Sequence, residues 1–351
     1  MTAAAPSAAS SPAAASGEPL LQIDDLEVSF RTQEGRVQAV RGVDLVVRSG
    51  EVLGVVGESG SGKSVTMLAA MGLLPRTAEI AGSVRLRGEE LRGASKERLR
   101  RIRGKEIAMI FQDPMTSLNP VFTVGAQIVE ALRTHNKELS KAAAKAKAVE
   151  LLQLVSIPNA ARRIEEYPHQ FSGGMRQRAM IAMAVANDPD VLIADEPTTA
   201  LDVTIQAQVL EVLQDVRQRL GIGIVLITHD LGVVAGLADR IAVMYAGRVV
   251  EEGTVNDVFY SMHHPYTLGL LASIPRLDRD RQDLVPVRGA PPAMSNPPVG
   301  CVFNPRCDYA IERCRAEDPR LRQVGSVLTA CHRAEDVSES QPLTAEGSTT
   351  A

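Results

Sequence analysis

An α/β fold built around a largely parallel sheet is predicted by three features of this 351-residue sequence. Short apolar runs alternate with segments of helical periodicity between residues 21 and 251. The run ending at Val56 passes straight into a Gly/Ser-rich turn and then a helix, and the run Val191 to Ala194 ends in two consecutive carboxylates. Hydrophobic residues make up 45% and charged residues 23% of the chain, an ordinary globular balance. Against a prior of about 150 residues per domain, the length suits one large domain and an appendage. With 38 Lys and Arg against 42 Asp and Glu, the net charge is −4, so no global basic field favours nucleic acid.

No stretch approaches the roughly 18 to 20 apolar residues of a bilayer-spanning helix. The first 17 residues hold no charged side chain and no Leu, Ile, Val or Phe, so both parts of a signal peptide are missing. Residues 1–18 read as a disordered Ala/Ser/Pro-rich cap on a chain that stays in the cytoplasm. Aromatics are scarce at 3%, with no Trp, which predicts an aliphatic core.

In chain order, Leu21 to Val28 alternates as a strand, and Val43 to Val47 and Glu51 to Val56 follow as further strands. Thr66 to Leu74 repeats at helical spacing and stops at Pro75. A polar stretch containing the basic run Lys96 to Arg103 leads to a strand at Ile107 to Phe111. Thr123 to Leu132 and Ala142 to Val155 are helical, so a helical subdomain spans about 113–170. A short helix opened by Ser172, a buried-type strand Val191 to Ala194, a helix Val203 to Leu220 and a strand Ile222 to Ile227 come next. A helix from Asp230 to Ala238 and two strands, Ile241 to Met244 and Arg248 to Glu251, close the pattern. Beyond about residue 265 prolines recur, which predicts a separate loop-rich domain over 265–335 and a disordered tail over 336–351.

Gly57-Glu-Ser-Gly-Ser-Gly-Lys63-Ser64 fits GxxxxGK[ST] in the strand-to-helix context that this pattern requires. Its glycines let backbone N–H groups turn toward a phosphate, Lys63 supplies a point charge, and Ser64 offers a hydroxyl to Mg²⁺ at a helix N-terminus. Asp195 and Glu196 then suit two roles: the first on the Mg²⁺ side, the second as general base for attack on the γ-phosphate. Alone, an acidic pair at a strand end is more often a solvated terminus; the phosphate loop changes that. Ser172-Gly-Gly174-Met-Arg-Gln177 is a second glycine-rich helix start and so a second potential anion site. One nucleotide does not need two such sites from one chain.

At these residues the sequence resembles the ABC transporter ATPase family, whose subunits sandwich ATP head to tail. The resemblance implies a P-loop ATPase core over 19–264 with an antiparallel β subdomain and a helical subdomain. It implies that Ser172, Gly173 and Gly174 meet the nucleotide of the opposite subunit, and that Gln112 touches Mg²⁺. It further makes His229 the switch residue at the γ-phosphate and places Asp202 in the subunit-contacting loop, where helix capping is its plain structural reading. ATP contacts then fall on Phe30, Gly57, Ser59, Gly60, Ser61, Gly62, Lys63, Ser64 and Val65, with Phe30 as the adenine platform or, more simply, a core residue. Catalysis falls on Glu196, His229 and Gln112, and Mg²⁺ on Ser64, Gln112 and Asp195. The reaction implied is ATP and water to ADP and phosphate.

Phe111-Gln-Asp-Pro-Met-Thr-Ser-Leu-Asn-Pro120, Tyr167-Pro-His-Gln-Phe-Ser-Gly-Gly and His264-Pro-Tyr-Thr267 look like the oligopeptide/dipeptide/nickel importer branch. That branch implies a second ABC ATPase subunit, two transmembrane permease subunits and an extracytoplasmic solute-binding protein. The chain would sit on the cytoplasmic face of the membrane as a translocase, with the turn Met115 to Pro120 against a permease. Nickel import is the alternative within the branch, and a soluble ABC ATPase acting on DNA or ribosomes is the rival outside it. The four cysteines, Cys301, Cys307, Cys314 and Cys331, are spaced C-x5-C-x6-C-x16-C. In a Pro-rich cytosolic domain they argue for a stapling metal over disulfides. Branch members with this pattern are associated with a 4Fe–4S cluster; zinc and unligated thiols are the alternatives.

Overall fold

The computed structural model describes residues 17–33, 35–112, 117–199, 201–273 and 287–339. The expected cap over 1–18 lies almost wholly outside the described residues, as does the chain from residue 340 onward. Strand β1 (Pro19–Thr32) is antiparallel to β2 (Gly35–Arg48), and after β3 (Val52–Val56) and helix α1 (Lys63–Ala70) the chain returns in β4 (Ala78–Leu86) and β5 (Glu89–Glu90). These give a four-stranded antiparallel sheet in the order β2-β1-β4-β5.

Helix α2 (Lys96–Ile102) follows, occupying the basic run that read as a polar stretch. Ser95 caps it by accepting the Arg98 N–H at 3.2 Å, and Ile102 is its buried residue. After β6 (Ile107–Ile110) comes the helical subdomain: α3 (Val124–His135), α4 (Lys141–Leu154) and the short α5 (Ala160–Arg163). Thr123 and Ser140 cap the first two through the N–H groups of Ala126 and Ala143. Then α6 (Gly173–Ala184), β7 (Val191–Asp195), α7 (Val203–Leu220), β8 (Gly223–Thr228), α8 (Leu231–Leu237), β9 (Arg240–Tyr245) and β10 (Arg248–Thr254) complete the α/β pattern.

The large sheet runs β11-β12-β10-β9-β3-β8-β7-β6, and β9, β3, β8, β7 and β6 are parallel. Its central strands are buried on both faces. In β3, Val52 and Val56 join one apolar cluster with helices α3, α4, α6 and α7, while Leu53 and Val55 join another with α1 and the antiparallel sheet. Continuous apolar runs such as Val191 to Ala194 are what a sheet covered on both sides demands.

The carboxyl-terminal segment departs from the expectation of a separate domain. Pro265 opens a helix: α10 (Pro265–Ala272), after the one-and-a-half-turn α9 (Val255–Tyr260), places Pro at its first position, where the missing N–H costs nothing. Past the short α11 (Glu312–Ala316), strands β11 (Arg322–Val324) and β12 (Val327–Thr329) form a hairpin whose β12 pairs with β10. The tail therefore extends the main sheet. Helix α12 (Ala334–Glu339), with Val337 fully buried, overlaps the expected disordered tail over 336–351, the remainder of which lies outside the described residues.

At this junction Glu251 of β10 is fully buried and accepts the N–H of His263. Burial pushes its carboxyl up to about 7, the Thr267 hydroxyl and the His263 and His264 amides offsetting only part of that. Between pH 4.5 and about 7 the unfolded chain therefore releases this proton while the folded chain keeps it. Stability is highest below that window and falls as pH rises through it, by about 3 kcal/mol for this residue alone. Glu251→Gln is expected to remove that fall. Urea midpoints at pH 5.5 and pH 8 should show the variant gaining on the parent at the higher pH; parallel profiles would contradict the assignment.

Candidate nucleotide site

Strand β3 delivers the chain to a loop that only glycine can follow at two points. Gly57 has φ of 151°, and a Cβ there would lie 2.1 Å from the Met244 carbonyl oxygen. Gly62, at φ of 101°, precedes α1 and offers no side-chain cap. The first N–H groups of α1 thus have no side-chain acceptor and keep the positive end of the helix open to an anion. The Ser61 N–H donates to the Glu58 carbonyl at 3.2 Å and the Ser61 carbonyl accepts from Gly247 at 2.9 Å, so the turn is tied both to itself and to the β9–β10 connection.

Lys63 is 6% exposed. Its Nζ donates to the carbonyls of Gly57 at 2.7 Å and Glu58 at 3.0 Å, and lies 3.5 Å from Ser61 Oγ. Burial lowers its pKa, and the Glu196, Asp195 and Glu58 carboxylates oppose that shift. Next to it, Ser64 Oγ donates to Asp195 Oδ1 at 2.9 Å, closing the loop onto the end of β7.

Asp195 is 7% exposed, and burial is the main cause of its raised pKa, which the Ser64 hydrogen bond opposes. Glu196 takes φ of 48°, a left-handed conformation unusual for a residue with a Cβ, and its N–H donates to Ile227. That conformation costs on the order of 1 to 3 kcal/mol and is characteristic of functional positions. It turns the Glu196 carboxylate off the strand. There Oε2 accepts from Gln112 Nε2 at 2.9 Å and from Thr199 Oγ1 at 2.9 Å, while Oε1 lies 3.3 Å from His229 Nδ1. Burial pushes its pKa up, but the Thr199 and His229 hydrogen bonds and the His229 and Lys63 charges outweigh it and hold the carboxyl below its usual value.

Six residues singled out from sequence thus come together at the start of α1 and past the ends of β6, β7 and β8: Ser64 bonds Asp195, Gln112 and His229 meet Glu196, and Lys63 feels the charge of both carboxylates. Thr199 belongs with them and was missed. Its only sequence signal is a hydroxyl three residues after Glu196. Ser172 caps α6 by accepting the Met175 N–H at 3.3 Å, and Gly174 lies where a Cβ would meet Ile205 Cγ2 at 2.5 Å. Among the described residues no hydrogen bond links Ser172, Gly173 or Gly174 to the 57–64 loop. Asp202 caps α7 through the Ile205 N–H at 2.9 Å. Phe30, on β1, is half-buried and packs against the cluster that holds α1. Met115 and the rest of 113–116 lie outside the described residues, as does Ala200.

The expected metal centre in the tail is overturned. Among the described residues no group of three or more His, Cys, Asp or Glu side chains is placed to hold a metal ion. All four cysteines are free and line one cavity of about 10 Å³, roughly the room of a single water-sized sphere. Burial pushes the Cys301 and Cys307 thiols up to about 11 and Cys331 up to about 12. Neither the 4Fe–4S cluster nor zinc is supported.

The ABC transporter family model matches residues 40–199, and that of the oligopeptide/dipeptide transporter C-terminal region matches 250–314. The oligopeptide transport ATP-binding protein OppD of Bacillus subtilis is 53% identical over 308 residues, 87% of this chain and 86% of that protein. OppD of Mycobacterium tuberculosis is 53% identical over 322 residues, 91% of this chain but 53% of that protein. The chain therefore spans about half the length of the mycobacterial relatives it matches. Among solved structures, the dimeric bacterial ABC transporter cassette MJ0796 superposes with a TM-score of 0.60 at 27% identity, covering 67% of this chain and 99% of that one. No helix among the described residues is long and apolar enough to cross a membrane.

Proposed function

The chain belongs to the ABC transporter ATP-binding proteins, and from that premise we propose that it hydrolyses ATP to drive import of di- or oligopeptides. The observation that carries the reading is the Glu196 carboxylate, held ionised at the mouth of the phosphate loop by Gln112, Thr199 and His229. Lys63 exchanges its carbonyl partners for the β- and γ-phosphate oxygens of ATP. Glu196 takes a proton from the attacking water, and His229 orients that carboxylate. The hard oxygen donors of Ser64 and Asp195, 2.9 Å apart, fit Mg²⁺, and Gln112, bonded to the adjoining Glu196, would add its amide oxygen. When bound, that ion neutralises charge building on the phosphate oxygens.

Ser172, Gly173 and Gly174 form a second anion-accepting helix start with no hydrogen bond, among the described residues, to the chain's own phosphate loop, which supports ATP shared head to tail with a second ATPase subunit. Val203, 81% exposed next to Asp202, supplies an apolar contact for such a partner. ATP binding favours the closed pair and hydrolysis the open one, so the nucleotide's differential affinity is the driving term. Two membrane permeases and an external binding protein complete the working unit, on the cytoplasmic side. Phe111, next to Gln112 in sequence and 45% exposed, and Phe122, 53% exposed, offer the permeases apolar surface.

The peptide reading is favoured over nickel by the match to the oligopeptide/dipeptide C-terminal region and by relatives named for peptides. A net charge of −4 offers little to DNA or ribosomes. Vesicles carrying the assembled complex and internal Mg–ATP are expected to accumulate labelled peptide and not nickel. Nickel uptake that unlabelled peptide leaves unaffected would overturn the substrate assignment.

A further inference from the structure

We infer that the carboxyl-terminal segment positions the phosphate loop, with Arg306 and Tyr266 acting as positioning residues for nucleotide binding. The inference rests on the reading that this loop binds ATP. Glu58, the residue between Gly57 and Ser59, is held by all three of its polar handles. Its N–H donates to Tyr266 Oη at 2.9 Å, its carbonyl accepts from Lys63 Nζ at 3.0 Å, and its carboxylate receives both Arg306 Nη atoms at 2.7 and 2.9 Å. Two of those three partners lie more than 200 residues away, in the segment that extends the sheet.

Arg306 is itself fixed on every side. Its Nε donates to the Arg288 carbonyl at 2.7 Å, one Nη reaches the Val287 carbonyl at 3.3 Å, and the other lies 3.4 Å from Tyr245 Oη. The guanidinium carbon sits 5.7 Å from the centre of the Tyr245 ring, and the side chain is 5% exposed. Tyr245, Tyr266 and Phe303 pack together with ring centres 4.6 to 5.5 Å apart, so the hydroxyl that meets Glu58 comes from a locked ring. A bidentate guanidinium–carboxylate pair with this little solvent is both strong and directional. The pair fixes where Glu58 lies, and with it the N–H groups of the turn that follows and the Lys63 ammonium that shares its carbonyl. Loosening it leaves Glu196, Gln112 and His229 in place, so ATP affinity is lost and the chemical step is kept.

The test uses the full chain, with the Kd for Mg–ATP measured by titration and KM and kcat by phosphate release. Arg306→Met and Glu58→Gln are each expected to weaken Mg–ATP binding and raise KM by about tenfold, with kcat at saturating ATP within about twofold. Because the two act through one bond, the double variant should be no weaker than either single one. Tyr266→Phe, which removes one hydroxyl from an otherwise unchanged packing, should cost about threefold and remains informative if Arg306→Met does not fold. Unchanged affinity in folded variants, multiplying losses in the double variant, or a loss confined to kcat would overturn the inference. A parent chain that fails to bind Mg–ATP would overturn the nucleotide reading itself, an outcome distinct from these.

Discussion

Glu196→Gln is expected to lower the ATPase kcat by about 10² to 10⁴-fold, the range for removing a positioned general base, while Mg–ATP binding changes by less than about threefold. The amide keeps the size of the carboxylate and can still meet Thr199 and Gln112 after rotation, but it cannot accept a proton from water. The left-handed backbone at residue 196 is unaffected by the swap, so the fold should persist. Because the carboxyl is held below its usual pKa, the parent's base is already ionised well below neutral pH, and its acid limb should fall in that range. Single-turnover hydrolysis and equilibrium nucleotide binding on the same preparations separate the two effects. A variant that hydrolyses at the parent rate would remove Glu196 from the mechanism.

Lys63→Ala carries the other large effect and acts on the opposite quantity. Its ammonium is buried, and its partners without nucleotide are carbonyl oxygens, groups that a phosphate can displace without leaving an ion unpaired. Removing it takes away at least one charge-assisted bond of about 1.5 to 3 kcal/mol to the nucleotide, so ATP affinity should fall by about 10 to 100-fold. The same change removes the desolvation of a buried cation, so unfolding stability should fall little or even rise. Titration with a fluorescent nucleotide and a urea melt check both halves. Retained affinity would mean that the loop holds phosphate through backbone N–H groups alone.

How much of this was readable from the chain differs between parts for physical reasons. The phosphate loop and the Asp195–Glu196 pair were legible because each function demands fixed residue types at fixed spacing beside a buried strand. Gln112 and His229 were placed through resemblance, and the structure joins both to Glu196. Strand β4, Ala78–Leu86, left no clear signal: its residues are mostly half-exposed, with Gly82 in the middle. Helix α2 was hidden because Lys96–Ile102 buries a single residue, so its apolar stripe has almost no width. The β11–β12 hairpin did carry a turn signal in Gly325-Ser326 between two Val residues, but strands of three residues fall below what alternation can reveal.

The tail misled in two ways. Prolines suggested a detached, loop-rich unit, yet the β11–β12 hairpin joins the main sheet through β10. Cysteine spacing suggested a metal centre, but spacing does not report whether the thiols leave room for one between them. The grip of Arg306 on Glu58 spans 248 positions and has no local trace at all. What links the two ends of the chain is tertiary packing around Tyr245, Tyr266 and Phe303, which no periodicity encodes.

Phosphate release from the assembled transporter supplied with Mg–ATP, with and without peptide-loaded binding protein, bears most directly on the account as a whole. The expected result is hydrolysis that peptide stimulates in the parent and that Glu196→Gln abolishes under both conditions. Hydrolysis indifferent to peptide, or persisting in the Glu196→Gln complex, would contradict it.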